Sequence, residues 1–350
     1  MNKEPPLHVL EAYNHLGQPE NITVINMGLI NKTWLINTQK QAYILQEVSH
    51  IFDLTIHDDA WAVCKHISHK NLPAPIIEPT QNNCLYFIFE NRVFRALTYL
   101  EGQSFHQIIN LTMAEQAGAI VGRFHQALVG FNYDYRSKRR QAGDFVSHIN
   151  NLAQSLQNNL DHEYFPKVHV LGASMINNMT SLIYNITTTS RHMHGDPKIS
   201  NILFDNNYHA LALVDFDTLN KGGWSLEIAD ALRSWCNPNK EDVLEAYVDL
   251  EIARHALGGY GEIMKGSWSS QERAELVINM QAITLCLAMR YLSDVFYEKY
   301  WAYDATRYAR AADHNLIRAQ AMYNLYKDFA RKKLDIAQII DRALSGGTPR

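Results

Sequence analysis

Cysteine is scarce in this chain of 350 residues: Cys64, Cys84, Cys236 and Cys286 are the only four, far apart and without a Cys-x-x-Cys pair. They give no disulfide framework and read as reduced thiols. An apolar leader is missing from Met1-Asn2-Lys3-Glu4-Pro5-Pro6, and no stretch approaches the ~18 apolar residues that would span a bilayer. The expectation is a soluble, cytoplasmic protein with no membrane partner. Charge of one sign is lacking too. A formal net charge of −4 offers no general electrostatic reason to expect nucleic acid or an anionic surface as partner. The basic clusters Lys138-Arg139-Arg140 and Arg331-Lys332-Lys333 read as solvated surface. No internal repeat or low-complexity block interrupts the chain, which is long enough for one large domain or two lobes.

What is present is one chemically dense stretch, His194-Gly195-Asp196-Pro197-Lys198-Ile199-Ser200-Asn201, followed shortly by Val214-Asp215-Phe216-Asp217. Its spacing suits phosphoryl transfer, whose loose transition state asks a protein mainly to position the acceptor and to hold metal against phosphate. Asp196 is placed to face an acceptor hydroxyl and take its proton. Asn201 offers an amide oxygen of the hard type that Mg²⁺ favours. Residues 201–204, the turn Asp205-Asn206-Asn207 and residues 211–214 predict a hairpin that returns Asp215 beside Asn201. Two other readings compete. The pattern is an accident, or His192-x-His194-x-Asp196 begins a zinc hydrolase site; the latter pattern wants a histidine at position 197, where Pro197 stands.

Around this stretch the chain divides into a strand-rich part and a helical part. Residues 8–18 have a helical pattern, and strands are predicted over 22–25, 33–36, 42–46, 84–89 and 93–100, with a helix over 56–70. The first two strands flank a turn containing Gly28, the layout of a flap over nucleotide phosphates, although Gly28 equally suits the turn alone. In a kinase the third strand supplies a lysine to the phosphates. Here Gln46 holds that position, which leaves phosphate charge to metal and another cation, with Lys32 a candidate. The strand ending at Thr98 and Leu100 runs into Glu101-Gly102-Gln103-Ser104, suited either to an interlobe connection against which adenine lies or to an ordinary strand-to-helix loop. Helices are predicted over 114–129, 144–160, 168–187, 226–235, 241–257, 270–298 and 308–342. Within the helix over 226–235, Asp230 is either an orienting group for the catalytic loop or a surface acid.

His-x-Asp-x-x-x-x-Asn is the protein-kinase pattern, but with Gly195 after the histidine the chain resembles the aminoglycoside phosphotransferase and choline kinase superfamily more closely. Within it, Gly28-Leu29-Ile30-Asn31-Lys32-Thr33-Trp34, Tyr43-Ile44-Leu45-Gln46, Val214-Asp215-Phe216-Asp217-Thr218, Arg290-Tyr291-Leu292-Ser293-Asp294 and Asn315-Leu316-Ile317-Arg318-Ala319-Gln320 are similar to the N-acetylhexosamine 1-kinase branch. The resemblance spans roughly residues 20–325, and glutamine at position 46 is usual in that branch. Gly195 replaces the branch's frequent Asn, and Trp301 stands where a sugar-contacting tyrosine is usual. The resemblance implies an α+β, two-lobed protein-kinase-like fold, with a sheet-based lobe over 1–100 and a mostly helical lobe over 101–345. It implies ATP with Mg²⁺, nucleotide contacts from Gly28, Asn31, Gln46, Thr98 and Leu100, and Asp196 as base. Asn201 and Asp215 would hold metal, with Asp217 sharing it or supporting from behind. Thr218, Gly222, Arg290 and Trp301 would line a small-molecule acceptor, favoured to be an amino sugar phosphorylated at its anomeric hydroxyl.

Overall fold

Alternating apolar residues build the first part of the computed structural model, which describes residues 4–25, 30–137, 143–183 and 190–346. Strands β1 (Pro19–Ile25), β2 (Lys32–Thr38), β3 (Ala42–Val48), β4 (Ile77–Glu78), β5 (Phe87–Phe89) and β6 (Arg92–Thr98) form one antiparallel sheet, ordered β1-β2-β3-β6-β4 with β5 also on β6. Side chains alternate between the faces of a strand. Trp34, Ile36, Tyr43, Leu45, Phe94 and Ala96 therefore share one face, where they bury against Val9, Leu10, Tyr13 and Leu16 from helix α1 (Leu7–Glu11) and the turn after it. Gln46 and Arg95, directly paired across β3 and β6, fall on the opposite face. Helix α2 (Ile56–His69) packs near that face and touches the turn at residues 216–218.

The remainder is helical: α3 (Leu111–Ala127), α4 (Phe145–Asn158), α5 (Phe165–Ile183), α6 (Trp224–Trp235), α7 (Leu250–Met264), α8 (Ser270–Asp294), α9 (Ala311–Arg331) and α10 (Lys333–Leu344). These helices, with α2, share a second and larger core. Two small antiparallel pairs interrupt them, β7 (Arg191–Met193) with β10 (Asn220–Gly222) and β8 (Ile202–Phe204) with β9 (Ala210–Leu213). The β8–β9 pair is the hairpin expected from the sequence. The link after β6 is fastened to it, since Gln103 exchanges main-chain hydrogen bonds with Phe204 and the Ser104 hydroxyl donates to the Ser200 carbonyl.

Several expected boundaries move for identifiable reasons. The helix expected from 241 starts only at Leu250, where Asp249 accepts from the Glu251 and Ile252 amides as an N-cap. Residues 241 and 242 are instead drawn into ion pairs, Glu241 with Arg233 and Asp242 with Arg307. The helix expected over 308–342 is two, because Lys332 leaves helical geometry and its ammonium bonds the Val248 carbonyl. Residues 84–86 are not strand, and β4 is too short to show periodicity. Helix α8 corrects the reading that no segment is apolar enough to span a bilayer. By length and composition it qualifies, yet 78% of its apolar window is buried inside the fold, as in the core helix of a globular protein. Gly28 and the basic cluster at 138–140 lie outside the described residues.

Candidate active site

Backbone donors around His194 are satisfied by one buried carboxylate. The Glu227 side chain on α6 accepts from the His194 amide (2.7 Å) and the Gly195 amide (2.9 Å), and it also meets His125 Nε2 at 3.3 Å. Burial pushes the Glu227 carboxyl up, but hydrogen bonding and charge from His125, with the Gly195 amide, bring the net shift below the usual carboxylate range. Glu227, one turn before Asp230, is thus the acid that holds these amides. Asp230 instead pairs with Arg233 at 2.8 Å. His194 is held neutral by burial, and its Nε2–H donates to the Val214 carbonyl at 3.0 Å, tying the loop to the strand that delivers Asp215.

Gly195 has φ +84°, and a Cβ there would lie 2.1 Å from the Thr218 carbonyl oxygen. Gly195→Asn is therefore expected to destabilise the fold by about 1–3 kcal/mol, read as a lowered urea midpoint. Unchanged stability would show that the loop relaxes freely.

Asp196 sits half-buried, with Lys198 Nζ 2.6 Å from its Oδ2. Burial alone would raise its pKa, but the lysine charge and hydrogen bond outweigh it, and the carboxyl ends below its ordinary value. The Asn201 amide nitrogen donates to the Asp196 carbonyl (2.9 Å) and Oδ2 (3.2 Å), which turns its amide oxygen the other way. Asp215 has left-handed backbone geometry, φ +68° and ψ +65°, anchored by buried Phe216 against His194 and Phe124. Burial and the neighbouring Asp217 push its carboxyl up to about 6. An amide oxygen and a carboxylate left in this state fit a hard divalent cation, which would relieve the like-charge repulsion.

Asp217 is differently engaged. Its Oδ1 lies 2.6 Å from Arg95 Nη1, and its Oδ2 accepts from Asn31 Nδ2 at 2.9 Å. Asn31 Oδ1 in turn accepts from the Ser49 amide, and Gln46 Oε1 accepts from Arg95 Nε (2.9 Å) and Nη2 (2.7 Å). Asn31 and Gln46, expected to touch nucleotide, thus spend their amides holding Arg95 and Asp217. The Thr98 hydroxyl is likewise occupied, accepting from the Ile76 amide, and Leu100 is half-buried at the exit of β6. Lys32, the candidate phosphate cation, is exposed and paired with Glu47.

Buried His57 on α2 lies where the charges of Arg95 and Asp217 act on it, and burial drives its pKa down to about 4. The unfolded chain takes up a proton near pH 6.5 while the native site does not, so this histidine's contribution is present above pH 6.5 and is lost as pH falls towards 4. The loss is on the order of 3 kcal/mol. His57→Asn is expected to flatten the stability profile between pH 6.5 and 4, read by urea unfolding at each pH; an unaltered slope would refute the assignment.

At the far end, Arg290 lies over Trp301 (5.2 Å) and Tyr300 (5.5 Å), and Trp301 packs on Tyr291. The loop is held by Asp294, which accepts from the amides of Lys299, Tyr300 and Trp301 and from Asn315 Nδ2. Tyr291 donates to Glu241, Glu241 pairs with Arg233, and Arg233 with Asp230, whose charge acts on Asp196. Of the other two residues expected to line the acceptor, the Thr218 hydroxyl donates to the His194 carbonyl, and a Cβ on Gly222 would lie 2.8 Å from Met193 Cε. Both ring nitrogens of His192 are occupied, by Tyr135 and Phe131, which counts against the zinc reading, and His194 gives its Nε2 to Val214. Among the described residues no group of three or more His, Cys, Asp or Glu side chains is placed to hold a metal.

The model of the phosphotransferase enzyme family matches residues 21–262, which include the stretch from His194 to Asp217. The chain belongs to this family. Its fold is two-lobed and protein-kinase-like, as the resemblance implied. Similar solved phosphotransferase structures include an aminoglycoside phosphotransferase from Alicyclobacillus acidocaldarius, with 13% identity, a TM-score of 0.60, and 96% of this chain and 98% of that one covered. A choline kinase from Cryptosporidium parvum matches at 12% identity and TM-score 0.55, covering 91% of each chain. An ADP-bound aminoglycoside phosphotransferase matches at 15% and 0.56, covering 92% of this chain and all of that one. At these identities the likeness speaks for the fold. Three site features were missed from sequence: Arg95, Lys198 and Glu227. Arg95 alone left a trace, as one charge within the apolar run Val93-Phe94-Arg95-Ala96-Leu97.

Proposed function

We propose that this phosphotransferase is an ATP- and Mg²⁺-dependent kinase that phosphorylates the anomeric hydroxyl of an N-acetylhexosamine or related neutral sugar. The nucleotide sits between the sheet part, residues 1–100, and the helical part, residues 101–345, with its adenine edge at Thr98 and Leu100. Asp196 orients the acceptor hydroxyl and takes its proton. Its lowered pKa makes it a weak base, which suits proton transfer late in a loose transition state. Lys198 keeps it ionised. Asn201 and Asp215 are the residues that would hold Mg²⁺, which supplies charge neutralisation to the transferring phosphoryl group. Asp217, with both oxygens engaged, serves as support.

The observation that carries the acceptor assignment is the charge balance of the wall beyond Asp196. A cationic alcohol needs an unmatched carboxylate or an open aromatic face. Here Asp230 and Glu241 are bound by Arg233, and the faces of Trp301 and Tyr291 are covered by Arg290 and Arg318. Arg290 brings several donors suited to ring hydroxyls and an acyl oxygen. The test is ADP release across N-acetylglucosamine, N-acetylgalactosamine, simple hexoses, choline and an aminoglycoside, with phosphorus NMR of the product. Turnover of an N-acetylhexosamine to its 1-phosphate is expected, and Arg290→Met should raise acceptor KM about 10–100-fold. Turnover confined to choline or the aminoglycoside overturns the sugar assignment.

A further inference from the structure

The strand position that carries a lysine in protein kinases is Gln46, and the residue directly opposite it on the neighbouring strand is Arg95. Arg95 is 2% exposed, so its guanidinium is shielded from solvent. It spends two nitrogens, Nε and Nη2, on Gln46 Oε1 and a third, Nη1, on Asp217 Oδ1. Asn31, from the start of the sheet, closes the other side of Asp217. One buried carboxylate of the helical part is therefore gripped by two side chains of the sheet part, 122 and 186 residues away along the chain.

We infer that Arg95 is a positioning residue that sets the metal-binding turn, by fixing and neutralising Asp217 so that Asp215 alone presents its carboxylate to the metal. The physical reason is crowding. Asp215 and Asp217 are separated by one residue in a tight turn, and without a fixed cation beside one of them the two would compete for the same divalent ion. A guanidinium suits this task better than an ammonium, because its planar fork can hold Gln46 and Asp217 at once. Gln46 fits the same logic: a lysine there would place a second cation against Arg95, whereas the amide oxygen accepts from it. The clasp also joins the two halves of the cleft, so an altered Arg95 shifts how the sheet meets the turn.

This inference rests on the kinase reading for its activity readout, but its stability readout stands apart. The variants are Arg95→Gln, Arg95→Lys, Asp217→Asn and the double Arg95→Gln/Asp217→Asn, compared by melting temperature, Mg²⁺ dependence of ADP binding by calorimetry, and ATP turnover. Arg95→Gln leaves Asp217 buried without its cation, so it should melt below the double variant. Its kcat should fall at least 30-fold with ATP KM changed less than threefold, and the Mg²⁺ midpoint should move by more than threefold. Arg95→Lys should recover part of the melting temperature and little of the kcat. Should Arg95→Gln fail to fold, the double variant carries the test: with the competing carboxylate gone Asp215 alone still faces the metal, so its Mg²⁺ midpoint should stay within threefold of wild type, and a larger shift overturns the inference. A rise in ATP KM with kcat intact overturns it as well, since Arg95 would then be binding nucleotide directly. If the wild type neither turns over nor binds ADP with Mg²⁺, the kinase reading falls. The clasp is then judged by melting alone: Arg95→Gln melting at or above the double variant refutes it.

Discussion

Asp196→Asn is expected to lower kcat ~10²–10⁴-fold, the range for removal of a positioned general base, with the melting temperature within a few degrees of wild type. The substitution is isosteric and keeps an oxygen that can accept from Lys198 and Asn201, so the loop has no reason to rearrange. What it removes is the ability to accept a proton from the acceptor oxygen. Coupled ADP release at saturating ATP and sugar measures the first quantity, and thermal unfolding the second. Because Asp196 is already a weak base, its orienting role predicts a loss in kcat that exceeds any change in ATP KM. A variant retaining a tenth or more of wild-type turnover would remove Asp196 from the mechanism.

Glu227→Ala carries the largest expected effect on stability, a loss of about 3–5 kcal/mol. The side chain is buried and accepts from two main-chain amides at the head of the catalytic loop, while His125 is stacked on Trp224 and hydrogen-bonded to Tyr260 on its other edge. Alanine leaves both amides without an acceptor in a dry site, and desolvated donors without partners cost free energy. The urea midpoint should drop, and turnover should fall even under conditions where the variant remains folded, because His194 and Gly195 set the direction of Asp196. Glu227→Gln keeps one acceptor oxygen and is expected to lose less than half as much. Equal stability of the alanine variant and wild type would show that water replaces the carboxylate, and the loop would then have another anchor.

The spacing of short-range parts was legible in the sequence for a plain reason. Asp196 and Asn201 lie within one loop, and a hairpin brings Asp215 back, so local propensity already specifies most of that arrangement. The strands β2, β3 and β6 were legible because a sheet buried on one face writes its period into the chain. Glu227 and Asp230 were not separable, since residues three apart share one helix face and only the rotation of α6 decides which meets the loop. The signature around Arg290–Asp294 and Asn315 was visible as a resemblance but not as a cause. Its cause is Asp294, which with Asn315 from another helix organises the loop bearing Trp301.

By itself the sequence determined the chemistry on offer, carboxylates and an amide oxygen at a spacing that one loop and one hairpin can bring together, and the division into a sheet part and a helical part. Only the tertiary structure decided which charges meet. Arg95 reaches Asp217 through the register of β3 on β6 and the approach of sheet to turn. Glu241 reaches Arg233 because a helix begins nine residues later than its periodicity suggests. Side-chain period depends on neighbours along the chain, whereas the pairing of buried charges depends on how separately formed elements close on one another.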